Sequence, residues 1–138
     1  MRKPIVMVVD DEPLIRETIL EILREEGFEP IGISDGAAAV TWAERIKPDV
    51  VLADVIMPGL NGVEMAITLR TRMPELRIML FSGQAAAADL LERARGEGYE
   101  FELFPKPIKP DELVAALRAA TSRDAQPSRR TAEFSEKS

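Results

Sequence analysis

The stretch Ile5-Val6-Met7-Val8-Val9-Asp10-Asp11-Glu12-Pro13, running on through Leu14-Ile15 to Gly27, decides the fold. Ile5–Val9 is an unbroken apolar run rich in β-branched residues, the pattern of a strand covered on both faces. From about Pro13, a good first-turn residue, Ile15, Ile19, Ile22 and Leu23 recur at helical spacing until Gly27 stops the segment. The strand-then-helix unit repeats along the chain. Glu29–Ile33 precedes a helix capped by Asp35 that carries Ala39, Val40, Ala43 and Ile46 and ends before Pro48. Val50–Ala53 leads through the Pro58-Gly59 loop to a helix near Val63–Arg72, and Arg77–Phe81 leads to an Ala-rich helix at about Ala86–Arg95. Phe101–Phe104 is followed by a helix from about Pro110, with Asp111 and Glu112 in its first turn, that buries Leu113, Ala116, Leu117 and Ala120. Five strands alternating with five helices imply right-handed crossovers. The expected architecture is therefore α/β, a doubly wound five-stranded parallel sheet between two helical layers, a three-layer sandwich.

Length and composition narrow the function. A chain of 138 residues with 46% hydrophobic content makes one domain with a sizeable core. Apolar periodicity stops at Thr121, so residues 1–121 read as the folded domain and 122–138, rich in Ser, Arg and Glu, as a disordered polar tail. A net charge of −6 argues against a surface that neutralises nucleic-acid phosphates, so no direct nucleic-acid partner is expected. The chain has no Cys and no His, which excludes thiolate chemistry and imidazole catalysis, and means that any phosphohistidine must belong to another protein. The Met1-Arg2-Lys3-Pro4 start leads into too few apolar residues for a signal peptide or a membrane span. A soluble, cytoplasmic protein with no membrane insertion is the expectation.

Charged or polar landmarks stand where the apolar runs end: Asp10 and Asp11 after Val9, Asp54 after Ala53, Ser82 after Phe81, and Lys106 after Phe104. In a parallel sheet these ends share one edge, so distant segments converge on one pocket. Mg²⁺ keeps several waters and takes one or two carboxylates plus a phosphate oxygen, and Asp10, Asp11 and Asp54 supply the carboxylates. An ionised Asp can attack phosphorus when a metal and a fixed cation neutralise the transferring group; Lys106 is that cation, and the Ser82 hydroxyl can donate to a phosphoryl oxygen. Taken singly, an acidic residue after a strand is as readily a helix cap. Four strand ends bearing compatible groups are harder to dismiss.

The Asp10-Asp11 pair, the stretch Asp54-Val55-Ile56-Met57-Pro58-Gly59-Leu60-Asn61-Gly62, Ser82-Gly83 and Lys106-Pro107 together resemble the receiver domains of two-component response regulators. The resemblance covers residues 4–120. It implies a flavodoxin-like (CheY-like) fold and a stand-alone regulator rather than an enzyme acting on other substrates. It also implies that Asp54 accepts a phosphoryl group from a sensor histidine kinase or a histidine phosphotransfer protein, and that the modified domain then engages a downstream protein. By the same match Asp11 and Asp54 bind Mg²⁺ or Mn²⁺ with the backbone carbonyl of Ile56 and, largely through water, Asp10. Ser82 follows the phosphoryl group, Lys106 bridges to it, and the Lys106–Pro107 bond is cis.

Three features depart from the family pattern. Gly83 stands where Ala is usual, Leu103 replaces the switching Tyr or Phe, and the segment through Gly96-Glu97-Gly98-Tyr99 is slightly longer. Phe101, Leu103 and Phe104 read as buried strand residues, Trp42 as partly buried packing, and Arg70, Arg72, Arg93 and Arg95 as solvated helix faces. Ile56 and Gln84 flank the site and are expected to control water access. Two other classes compete. An aspartyl-phosphate hydrolase usually carries a second Asp two residues after its nucleophile, and here that residue is Ile56. A degenerate receiver that binds partners without phosphorylation would not need the intact Asp11, Asp54, Ser82 and Lys106. A receiver fragment of a longer regulator is a further alternative.

Overall fold

In the computed structural model, which describes residues 2–83 and 86–122, the apolar runs form β1 (Ile5–Val9), β2 (Glu29–Ile33), β3 (Val50–Asp54), β4 (Arg77–Ser82) and β5 (Glu102–Pro105). Between and after them lie α1 (Pro13–Glu25), α2 (Gly36–Ile46), α3 (Gly62–Arg72), α4 (Ala86–Gly96) and α5 (Pro110–Thr121). Every strand pair is parallel, and the order is β2-β1-β3-β4-β5. The chain winds from β1 outward to β2, then crosses back to β3 and continues the other way. This reversal, the flavodoxin-like switch point, opens a crevice at the carboxyl ends of β1 and β3. The expected polar tail lies outside the described residues from 123 onward, as does Gln84.

Two helical layers cover the sheet. Leu20, Leu23, Leu113 and Leu117 of α1 and α5 pack with Val6, Val8, Leu52 and Phe81 on one face, while Ala43, Met65, Leu69 and Ala94 of α2, α3 and α4 pack with Met7, Val51, Ala53 and Leu80 on the other. The alternation of strand side chains between these two sets is why the central strands are apolar at every position. Ala116, expected in the core, is only half-buried.

Helix ends follow local chemistry. The Asp35 carboxylate accepts the Ala38 N–H at 2.7 Å, and Lys47, in the left-handed region, closes α2 before Pro48. At α3 a reciprocal capping box joins Asn61 Oδ1 to the Glu64 N–H and Glu64 Oε1 to the Asn61 N–H. The Asn-x-x-Glu spacing spells it out in the sequence, although the Pro58-Gly59 turn is the more conspicuous signal there.

Strands β3 and β4 extend one residue beyond their apolar runs, so Asp54 and Ser82 are terminal strand residues rather than loop residues. Asp54 is in register with Phe81 and Ser82 with Pro105, pairings that hold the two polar residues at fixed heights. β5 begins at Glu102 instead of Phe101. Leu103, expected to be buried, is 43% exposed because β5 is the edge strand and only Leu80 of β4 lies beside it. Trp42 is 44% exposed, with the Arg45 guanidinium 5.7 Å from its ring. Arg70 departs from the solvated-face expectation: its guanidinium lies 5.2 Å from the Phe101 ring, which stacks on Tyr99. Arg72 and Arg95 are exposed and paired with Glu44 and Glu92.

Gly62 shows how tightly α3 docks on β3. A Cβ there would lie 2.2 Å from the Asp54 carbonyl oxygen and 2.8 Å from Val55 Cα, so only glycine lets the helix start against the strand end. Gly96, at the end of α4, has open space around it. Gly62→Ala is expected to cost about 3 kcal/mol or more in urea unfolding because backbone must move. Gly96→Ala is expected to be neutral or to gain up to about 1 kcal/mol. Equal effects of the two would contradict this packing.

Candidate functional site

Four strand ends supply the site. β1 delivers Asp10 and Asp11, β3 Asp54, β4 Ser82, and the turn after β5 Lys106. One carboxylate oxygen from each of Asp10, Asp11 and Asp54 lies within 4.8 Å of the others. Lys106 Nζ donates to Asp54 Oδ2 at 3.0 Å, and the Ile56 N–H donates to Asp54 Oδ1 at 3.1 Å, so both oxygens of the central carboxylate are oriented. The Lys106 ammonium also lies 5.2 Å from the Phe81 ring centroid, close to the side chain one strand inward. Its backbone N–H donates to the Ser82 carbonyl at 3.3 Å, which ties β4 to the Lys106 turn. The Lys106–Pro107 bond is cis, as the resemblance implies.

Burial divides the three acids. Asp10 is fully buried, Asp54 nearly so, and Asp11 is exposed at the rim. Asp10 Oδ1 accepts the Glu12 N–H at 2.9 Å, while Oδ2 is buried and accepts no hydrogen bond among the described residues. Burial pushes the Asp10 carboxyl above its ordinary range, and the neighbouring Asp54 and Asp11 charges add to this. The Glu12 N–H and Lys106 oppose the shift. A buried carboxylate oxygen without a hydrogen-bond donor, facing two more carboxylates, suits a hard divalent cation. Oxygen donors alone, with no His or Cys in the chain, fit Mg²⁺ or Mn²⁺.

Gly83 follows Ser82, and a Cβ there would sit 3.2 Å from Lys106 Cβ. The small residue thus lets the Lys106 turn approach β4 closely. Ile56 is half-buried against the α2–α3 side of the core. Beside Lys106, a cavity of about 590 Å³ is lined by Leu14, Ile15, Ile19, Ile108 and Leu113, with Leu14 80% exposed at its edge. The sequence reading did not single out Arg16, whose Nη1 donates to the Asp10 carbonyl at 2.7 Å. Its helical position gave only an exposed-face signal.

The family profile described as "Response regulator receiver domain" matches residues 6–118. The chain belongs to that family. Among curated relatives, the DNA-binding response regulator MtrA of Mycolicibacterium smegmatis is 37% identical over 120 residues, covering 86% of this chain and 51% of the relative. The transcriptional regulatory protein PdtaR of Mycobacterium tuberculosis is 40% identical over 121 residues, covering 86% and 57%. The receiver thus spans about half the length of the curated relatives it matches. Among solved structures, a receiver domain protein from Clostridium thermocellum superposes with a TM-score of 0.78 at 26% identity, covering 87% of this receiver and 95% of that chain. The receiver domain of nitrogen regulatory protein C has a TM-score of 0.78 at 29% identity, covering 91% and 100%. The protein is therefore a signalling receiver of a two-component system, with an acidic cluster compatible with Mg²⁺. No helix among the described residues is long and apolar enough to cross a membrane.

The cluster makes a stability prediction for the metal-free receiver. The folded Asp10 carboxyl holds its proton to higher pH than in the unfolded chain, so its ionisation costs stability at neutral pH. That cost fades as the pH falls through its raised value. Asp10→Asn should accordingly stabilise the metal-free protein at neutral pH by about 1–2 kcal/mol and abolish the gain in stability that the natural Asp10 makes as the pH falls through that range. Millimolar Mg²⁺ should shrink the difference, because the cation compensates the same charges. Thermal unfolding with chelator and with Mg²⁺ checks it, and a destabilised, Mg²⁺-insensitive variant contradicts it.

Proposed function

We propose that the chain is a single-domain response regulator that accepts a phosphoryl group on Asp54 and changes its partner binding when modified. The observation that carries this reading is the disposition of Asp54, its two oxygens oriented by Lys106 and the Ile56 N–H beside Asp10 and Asp11. An Asp54 carboxylate oxygen attacks phosphorus, the N–P bond of a partner's phosphohistidine breaks, and the imidazole departs with the bonding electrons. The bound divalent cation would supply charge neutralisation for the phosphoryl oxygens, held by Asp11, Asp54, the Ile56 carbonyl and, through water, Asp10. Lys106 contributes a fixed positive charge on the other side, and Ser82 a hydroxyl donor. The phosphohistidine in this reading is that of a sensor histidine kinase or histidine phosphotransfer protein, the 138 residues here containing no His.

Readout differs from an aromatic rotamer switch in this reading. Leu103 is exposed and aliphatic, so movement of Ser82 toward a phosphoryl oxygen is taken up by the adjoining Gly83 backbone. The surface it alters is that of α4, presented to a downstream protein. A second reading, the receiver part of a longer regulator, is favoured by the curated relatives, which extend to about twice the matched segment. The mass of the native protein on an immunoblot separates the two.

Two measurements test the chemistry. Acetyl phosphate with Mg²⁺ should add one phosphoryl group to the natural protein, mapped to Asp54 by mass spectrometry, and none to Asp54→Asn; label retained by that variant removes the assignment. Asp11→Asn should weaken Mn²⁺ binding, read by electron paramagnetic resonance, by about tenfold or more, since the site has few protein ligands. Unchanged affinity would strip Asp11 of its metal role.

A further inference from the structure

We infer that Arg16 is a positioning residue for the divalent-cation site, an assignment that rests on the metal reading above and deepens it. Arg16 lies on α1, where its backbone N–H donates to the Glu12 carbonyl, and its side chain turns back toward the β1 end. Nη1 donates to the Asp10 carbonyl oxygen at 2.7 Å. That carbonyl belongs to the peptide joining Asp10 to Asp11. Rotation of this peptide would swing the Cα–Cβ bond of Asp11, so a charge-assisted hydrogen bond to it restrains the direction in which Asp11 presents its carboxylate.

Other contacts make this restraint specific. The Asp10 N–H donates to the Ile33 carbonyl at 3.1 Å, so the turn is held from β2 on one side and from α1 on the other. Asp10 Oδ1 is occupied by the Glu12 N–H at 2.9 Å. With backbone N–H, backbone carbonyl and one carboxylate oxygen all engaged, the remaining oxygen, Oδ2, is left for the cluster. The arginine stem shares a seat with Leu20: a Cβ at Gly32 of β2 would come 2.9 Å from Leu20 Cδ1, 3.3 Å from Arg16 Cδ and 3.4 Å from Cγ. Gly32 therefore provides the surface over which the stem runs to reach Asp10. Half-buried and supported along its length, the side chain gives up little further freedom when a cation binds.

The guanidinium has two opposing effects on a cation. Its positive charge, acting alone, repels the ion; its hydrogen bond, acting alone, preorganises the ligands. Arg16→Met keeps most of the stem and removes both charge and donor, so the sign of its effect decides between them. Positioning predicts Mn²⁺ affinity about tenfold weaker by electron paramagnetic resonance, at the lower end of what outer partners of metal ligands contribute. Arg16→Lys, which retains charge and a donor, should recover most of that loss. Tighter binding in Arg16→Met would show that charge dominates and overturn the inference. Unchanged affinity with only a lowered melting temperature would assign Arg16 a merely structural role and equally overturn it. Should Arg16→Met fail to fold, Arg16→Gln, too short to span the same distance, replaces it with the same expected loss. Asp11→Asn run in parallel separates the two levels. If it leaves Mn²⁺ binding intact the metal site itself is misassigned, whereas loss of binding in Asp11→Asn with none in Arg16→Met refutes only the role of Arg16.

Discussion

Negative charge concentrated at the carboxyl edge of the sheet is the constraint around which this receiver is organised. Three carboxylates approach within 4.8 Å of one another, and one of them, Asp10, is fully buried. Such a cluster destabilises a folded protein unless cations and dipoles answer it. Lys106 answers from the turn after β5, the backbone N–H groups of Glu12 and Ile56 from the loops after β1 and β3. The divalent ion that the donor set suits would complete the compensation. Stability and ligand readiness are thus opposed at one place, and the apolar sheet beneath bears the cost.

That sheet is built to bear it. Val6–Val9, Val50–Ala53 and Leu80–Phe81 are inaccessible to solvent, and the two helical layers cover them from both sides. Rigid strands fix the heights of Asp54 and Ser82 through ladder pairing with Phe81 and Pro105. Close approaches at Gly62, Gly83 and Gly32 then bring α3 against the end of β3, the Lys106 turn against the end of β4 and the Arg16 stem over β2. In each case a missing side chain sets a distance that the chemistry uses.

The opposite trend holds at the sheet's edge. β5 is short, Leu103 is exposed, and the segment before it is tied by the Tyr99–Phe101 stack and the Arg70 guanidinium. Where the family pattern places a switching aromatic, this chain keeps its aromatics two and four residues earlier, locked on the α3 side. The molecule therefore joins a conventional acidic site to a divergent edge, consistent with family membership at sequence identities well below one half.

Much of this was legible in the sequence. Element order followed from apolar runs alternating with helical spacing, because doubly covered strands and amphipathic helices leave distinct periodicities. The convergence of Asp10, Asp11, Asp54, Ser82 and Lys106 followed from parallel topology, since every landmark lies at or just past the carboxyl end of a strand. Sequence could not decide where ladder pairing stops, which placed Asp54 and Ser82 within β3 and β4. Nor could it decide the exposure of Leu103, which depends on β5 being an edge, or the seat of Arg70 over Phe101. Arg16 is the clearest case. On a helix face it reads as one more solvated charge, and only the folding of α1 back over β2, with Gly32 beneath its stem, carries its guanidinium to the Asp10 carbonyl. Periodicity reports which face of an element is apolar; contacts between a side chain and the backbone of another element arise only when the elements are packed.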